Sequence, residues 1–163
     1  MSKILISGYY GFANAGDEAM LTAIIESLRQ VEKNVELTVL SGNPEDTAAK
    51  HQVCSVYRFN PLGIIRAMKD SELIISGGGS LLQDVTSKRS LLYYLSIIGL
   101  GKFFGKKVML FAQGIGPIRA KWARKLTSLV CNEADLITVR DSESAAELIE
   151  MGVKPEKITV TAD

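Results

Sequence analysis

The chain has 163 residues, 47% of them hydrophobic and 23% charged, with a formal net charge of +1. That is enough chain for one sizeable core, so a single globular domain over residues 1–163 is expected. The near-neutral balance excludes nucleic-acid binding through bulk charge, and no apolar run reaches the roughly 18 residues of a membrane span.

The first strand is expected at Lys3–Ser7, with no signal peptide before it, so a cytoplasmic protein is expected. A glycine-bearing loop, GYYGFANAG, leads into a helix over 18–31, with apolar residues at 20, 21, 24, 25 and 28. Strands follow at 35–41 and 53–57, separated by a polar helical piece that ends near His51, a residue expected on the surface. Asn60 caps a helix over 61–69, with proline in its first turn. Leu73–Ser76 is the next strand, then a helix over 90–104 and a strand over 107–112. The segment 91–104 is apolar but interrupted by Gly99 and Gly101. A helix over 121–134, a strand over 136–140, a helix over 141–151 with Asp141 and Gly152 as caps, and a strand over 158–161 complete the chain. Several strands are continuously apolar, as in LIIS and VMLFA, which implies a sheet covered on both faces. The expected fold is α/β: a doubly wound, mostly parallel, Rossmann-like sheet with right-handed crossovers. Cys54 and Cys131 lie in apolar segments and are expected as buried, reduced thiols. The ending TVTAD, directly after a strand, reads as though a second domain follows.

In an open parallel sheet, ligands bind beyond the carboxyl ends of the strands. Four loops fall there. The first lacks the lysine and hydroxyl of a Walker loop, because Asp17 and Glu18 follow Gly16. Gly8, Gly11 and Gly16 also lack dinucleotide spacing. Asp17 either serves the free N–H groups of the first helical turn or, with Asn14, binds hydroxyls of a polar ligand. Tyr9 and Tyr10 are candidates to pack on a sugar ring, with the core as the alternative for at least one. In the second loop, Gly77, Gly78 and Gly79 make either a tight turn or a close backbone approach to a ligand. Gln83 and Asp84 follow, in a polar segment up to Arg89 that is a candidate flap. Asp84 is the carboxylate expected to orient or deprotonate an acceptor hydroxyl, with a solvated loop carboxylate as the alternative. In the third loop Gln113, Gly114 and Gly116 make another close-approach turn, stiffened by Pro117. In the fourth, Arg140 ends an apolar strand, either paired with a carboxylate such as Asp141 or free to clamp a carboxylate or phosphate. No Ser–His–Asp set and no metal cluster is visible, so no metal or cofactor is expected.

The stretches GYYGFANAGDE, GGGSLLQD, FAQGIGP, VRDSES and the terminal TAD together resemble the polysaccharide pyruvyltransferase family, specifically its CsaB-like members. The resemblance covers the whole chain but only about the first half of a typical member. It implies the N-terminal domain of a two-domain enzyme similar to GT-B glycosyltransferases, with the C-terminal domain absent here. It implies pyruvyl transfer from phosphoenolpyruvate, the donor substrate, to an amino-sugar on a lipid-linked cell-wall intermediate. The product is a 4,6-ketal of the kind that S-layer anchoring domains recognise. The expected location is cytoplasmic, peripheral at the inner face of the membrane. Such a reaction needs an acid to protonate the donor's methylene carbon, a cation for its carboxylate and phosphate, and a carboxylate for the acceptor hydroxyl. Arg140 suits the second role and Asp84 the third; no residue here suits the first, which implies that the acid belongs to the other domain. The competing expectations are half of a glycosyltransferase that uses a nucleotide-sugar, and a Rossmann-like binding domain without enzymatic activity.

Overall fold

The structure, a computed structural model, describes residues 2–85 and 87–161; Ala162 and Asp163, the end of the TAD match, lie outside them. Strands β1 (Lys3–Ser7), β2 (Glu36–Ser41), β3 (Cys54–Tyr57), β4 (Leu73–Ser76), β5 (Gly79–Leu82), β6 (Lys107–Ile115), β7 (Leu136–Val139) and β8 (Ile158–Val160) form one sheet. Its order is β3-β2-β1-β4-β6-β7-β8, with β5 paired to β6 off this path. Every pairing is parallel. The helices are α1 (Ala15–Val31), α2 (Pro44–His51), α3 (Pro61–Asp70), α4 (Lys88–Phe103), α5 (Lys121–Glu133) and α6 (Ser142–Met151). None of them is long and apolar enough to cross a membrane.

Alternation along the strands sorts the core into two layers. Ile4, Ile6, Leu37, Val39 and Ile75 face α1 and bury its Leu21, Ile24 and Ile25. Leu5, Ile74, Val108, Leu110 and Ile137 face the other way, onto α3, α4 and α5. The doubly wound sheet read from the sequence is the sheet found.

Helix starts are set by short polar caps at the carboxyl edge of the sheet. Asn14 accepts from the Asp17 N–H at 3.1 Å, Asn60 from Gly63 at 3.1 Å, and Asp141 from Ser144 at 2.7 Å. Each such cap stabilises a helix by about 1 kcal/mol. Because Asn14 is the cap, α1 begins at Ala15 rather than at 18. Gly152, at φ +112°, closes α6 as expected.

Two expectations need correction, and the candidate flap from Gln83 to Arg89 runs from the end of β5 into the first turn of α4. Cys54 is exposed; Cys131 is buried, and burial pushes its thiol up to about 12. His51 is not a surface residue: its side chain is 9% exposed and meets Glu18 at 3.1 Å.

Candidate active site

The strand order reverses between β1 and β4, and the loops after these strands flank a crevice there. Met20 packs under Gly78, and Asp17 Oδ1 lies 3.2 Å from where a Cβ of Gly79 would stand. The first helix and the triple-glycine loop therefore meet. Beside them opens a cleft of about 390 Å³, lined by Tyr9, Asp17, Ser80, Leu81, Gln83, Ser90 and Tyr94. Burial, with Glu18 adding to it, raises the Asp17 carboxyl above the usual carboxylate range. A carboxylate with that shift is a better proton acceptor than an ordinary aspartate.

Tyr9 is half-exposed and stacks on Phe12 at 4.3 Å between centroids. Tyr10 turns the other way and is fully buried. Its ring fills the space where side chains of Gly8 and Gly77 would lie, which is why both positions are glycine. The sugar-stacking role expected for Tyr10 therefore does not fit; burial raises its phenol well above the usual range, and its hydroxyl has no partner. The glycines at 77 and 78 admit Tyr10 and Met20 of this chain on their Cβ sides, not a ligand.

The third loop extends β6 to Ile115, past a bulge in which Ala112 takes φ +48° and donates its N–H to Thr138 Oγ1 at 2.7 Å. Gln113 is fully buried and not open to a ligand: its amide donates to the carbonyls of Ser76, at 3.0 Å, and Gly77. It fixes the end of β4 to β6. Gly116 makes room for the Gln83 side chain.

Asp84 is an anchor rather than a base. Its carboxylate accepts the backbone N–H groups of Arg119, at 3.0 and 3.1 Å, and Ala120, at 3.1 Å, on the approach to α5. Those bonds, Ala120's first, hold its carboxyl below the usual range. A carboxylate so held is a weak proton acceptor, so the expected base role does not match its geometry.

Arg140 lies across Gly114, where a Cβ would come 2.4 Å from the guanidinium carbon. Its Nη2 donates to Ser80 Oγ at 2.9 Å, which joins it to the cleft; its Nε stands 3.7 Å from Asp141. Asp141 is mainly engaged with Ser144, as the cap of α6. The guanidinium is thus half-exposed and only loosely paired, so it keeps donors for an anion. A second opening of about 430 Å³ borders it, running along Gly116 and Arg124 to Glu147.

Of the residues singled out in the sequence, Tyr9, Asp17 and Gln83 line the cleft, Arg140 reaches it through Ser80, and Asn14 caps α1 at its edge. The sequence reading missed Ser80, Ser90 and Tyr94, and also Arg58, whose guanidinium lies 5.9 Å and 5.7 Å from the Tyr9 and Tyr94 rings of the cleft. Arg58 follows β3 just as Arg140 follows β7, a positional signal that was available. The serines carried none.

Comparison with solved structures supports the architecture. Anabaena HepE in complex with UDP and glucose superposes with a TM-score of 0.65 at 12% identity, over 99% of this chain and 44% of that one. The lipopolysaccharide outer core galactosyltransferase WaaB gives 0.58 at 15%, over 99% and 45%. UDP-GlcNAc 2-epimerase from Neisseria meningitidis bound to UDP-GlcNAc gives 0.59 at 13%, over 99% and 46%. At such identities the likeness establishes the fold alone: a Rossmann-like half of a GT-B architecture. The chain spans less than half the length of the structures it matches. No curated protein matches its sequence. The family model for polysaccharide pyruvyl transferase, by contrast, matches residues 14–163, and the chain belongs to that family.

Proposed function

We propose that this chain is the N-terminal domain of a CsaB-like pyruvyltransferase, which moves pyruvate from phosphoenolpyruvate to an amino-sugar of a lipid-linked cell-wall polymer as a 4,6-ketal. The observation that carries this reading is the family match over 14–163, which spans every loop of the site except most of the first. The enzyme works at the cytoplasmic face of the membrane, and a C-terminal domain closes the cleft. Protonation of the donor's methylene carbon makes the adjacent carbon electrophilic. One sugar hydroxyl adds there and loses its proton; the second then displaces phosphate and closes the ketal. Arg140 holds the donor's carboxylate or phosphate as charge moves onto the leaving group. Asp17, with its raised carboxyl, takes the acceptor-hydroxyl role in place of Asp84. Tyr9 offers its half-exposed ring to the sugar. The general acid comes from the other domain, so the 163-residue chain alone is inactive.

The test is phosphate release from phosphoenolpyruvate by the two-domain enzyme. Release that depends on an amino-sugar acceptor supports the reading; no turnover with any amino-sugar sinks it. Arg140→Ala is expected to raise the donor KM with an unchanged melting temperature, and unfolding of the variant would make Arg140 structural instead. One observation favours a second reading, nucleotide-sugar transfer: the HepE and epimerase structures hold UDP or a UDP-sugar. Thermal stabilisation of the two-domain protein by UDP-sugars, but not by phosphoenolpyruvate, would select that reading.

A further inference from the structure

Arg58 is the most unusual charge in the molecule. It follows β3, is 6% exposed, and has no carboxylate within ion-pair reach among the described residues. Five aromatic rings surround its guanidinium carbon, with centroids 4.6 Å (Tyr93), 4.9 Å (Phe59), 5.2 Å (Phe12), 5.7 Å (Tyr94) and 5.9 Å (Tyr9) away. Its Nη2 has a long contact of 3.5 Å to the Tyr94 hydroxyl, and its buried Nε has no partner. Ring faces compensate part of the buried charge. They do not accept the directional bonds of a guanidinium, which normally go to a carboxylate or phosphate.

The same arginine lies at one end of a cleft of about 220 Å³ between α3 and α4, walled by Ile64, Ile65, Ile97 and Leu100. A cleft with a hydrocarbon wall and a guanidinium at one end matches an amphiphile with an anionic head. The surrounding surface has the matching charge. Helices α3 and α4 together carry Arg66, Lys69, Lys88 and Arg89 against one carboxylate, Asp70, while their remaining cation, Lys102, is paired with Asp135 at 2.8 Å. Leu62 and Phe103 on these helices are 75% and 81% exposed. Exposed apolar groups among basic ones, with almost no acid, are the composition of a surface that lies on an anionic bilayer.

We propose that the α3–α4 face docks on a membrane and that Arg58 takes the phosphate of a membrane lipid whose chain lies in the cleft between the two helices. This gives the membrane location in the pyruvyl-transfer reading a surface and a lipid headgroup, and its test does not depend on that reaction. The test is co-flotation of the chain with phosphatidylcholine vesicles that are undoped, doped with phosphatidylglycerol, or doped with oleate to equal surface charge. The chain is expected to float with the phosphatidylglycerol vesicles, at least about fivefold less with oleate, and not with neutral ones. Phe103→Glu, on an exposed turn, is expected to abolish flotation without changing the melting temperature. Arg58→Gln is expected to erase the preference for phosphatidylglycerol over oleate. On wild-type protein, short-chain phosphatidylglycerol is expected to shift the Arg58 Nε–H resonance, and inorganic phosphate is not. Absence of flotation, equal binding to oleate, indifference to Phe103→Glu, or an equal response to inorganic phosphate would each overturn the proposal.

Discussion

Arg58 and Arg140 occupy equivalent places, each just past the end of a parallel strand on the same edge of one sheet. Their surroundings differ completely. Arg58 is enclosed by aromatic rings and lacks a carboxylate among the described residues, whereas Arg140 lies across a glycine, bonds Ser80, and stands near Asp141. Position along the strand puts a cation at the ligand edge. The bulk of its neighbours then decides from which side it is approached. Ring side chains on the loops after β1 and β3, and on α4, pack around the first and leave the α3–α4 cleft beside it; Gly114 leaves an open berth for the second.

The comparison breaks most visibly at Arg58. Arg58→Ala opens a cavity inside the ring cluster and is expected to destabilise by about 3 kcal/mol in urea unfolding. Arg58→Met, which keeps the volume and removes the charge, is expected to lie within about 1 kcal/mol of wild type. A methionine variant as weak as the alanine one would show that the charge itself holds the cage together. At the other arginine, Gly114→Ala pushes the flexible end of Arg140 aside, so a stability loss under about 1 kcal/mol is expected. On the proposed clamp, the same variant weakens phosphoenolpyruvate binding by roughly tenfold, as measured by calorimetry.

A pH experiment separates the two sites further. Bonds from Ser144, and then the Arg140 charge, hold the Asp141 carboxyl below its usual range. A carboxyl depressed by folding stabilises the protein above its unfolded value, about 4, and that stability is lost as pH falls through the folded value. Ser144→Ala should therefore move the acid limb of the stability curve, Arg140→Ala should move it less, and Arg58→Met should leave it in place. The smallest effect is expected at Tyr10. Its buried hydroxyl has no partner, so Tyr10→Phe should raise stability by up to about 1 kcal/mol in thermal unfolding.

The sheet was legible because its strands are continuous apolar runs and its helices start at recognisable caps. Asn60 and Asp141 were read correctly; Asn14 was passed over because Asp17 and Glu18 drew attention to the next turn. Strand β5 escaped because GSLL is four residues long and follows glycines, with no alternation to mark it. Helix α2, PEDTAAKH, buries only Thr47 and so shows no apolar stripe. At the site, the sequence located the right loops but not the side-chain directions. Whether Tyr9 or Tyr10 turns inward, and whether Asp84 meets solvent or the backbone ahead of α5, depends on partners tens of residues away. The His51–Glu18 contact, across 33 residues, is invisible to any local pattern.

The anchoring of Asp84 has a mechanical consequence. The Gly116 N–H bonds Leu82 at 3.1 Å, the Asp84 N–H bonds Pro117 at 3.2 Å, and the Asp84 carboxylate returns to Arg119 and Ala120. Two stretches of chain far apart in sequence are thereby riveted into one double-walled rim. Any opening of that rim must carry both stretches as one plate, with its hinges before Leu82 and beyond Ala120, so the wall beside the cleft is a stiff jaw and not a pair of independent flaps.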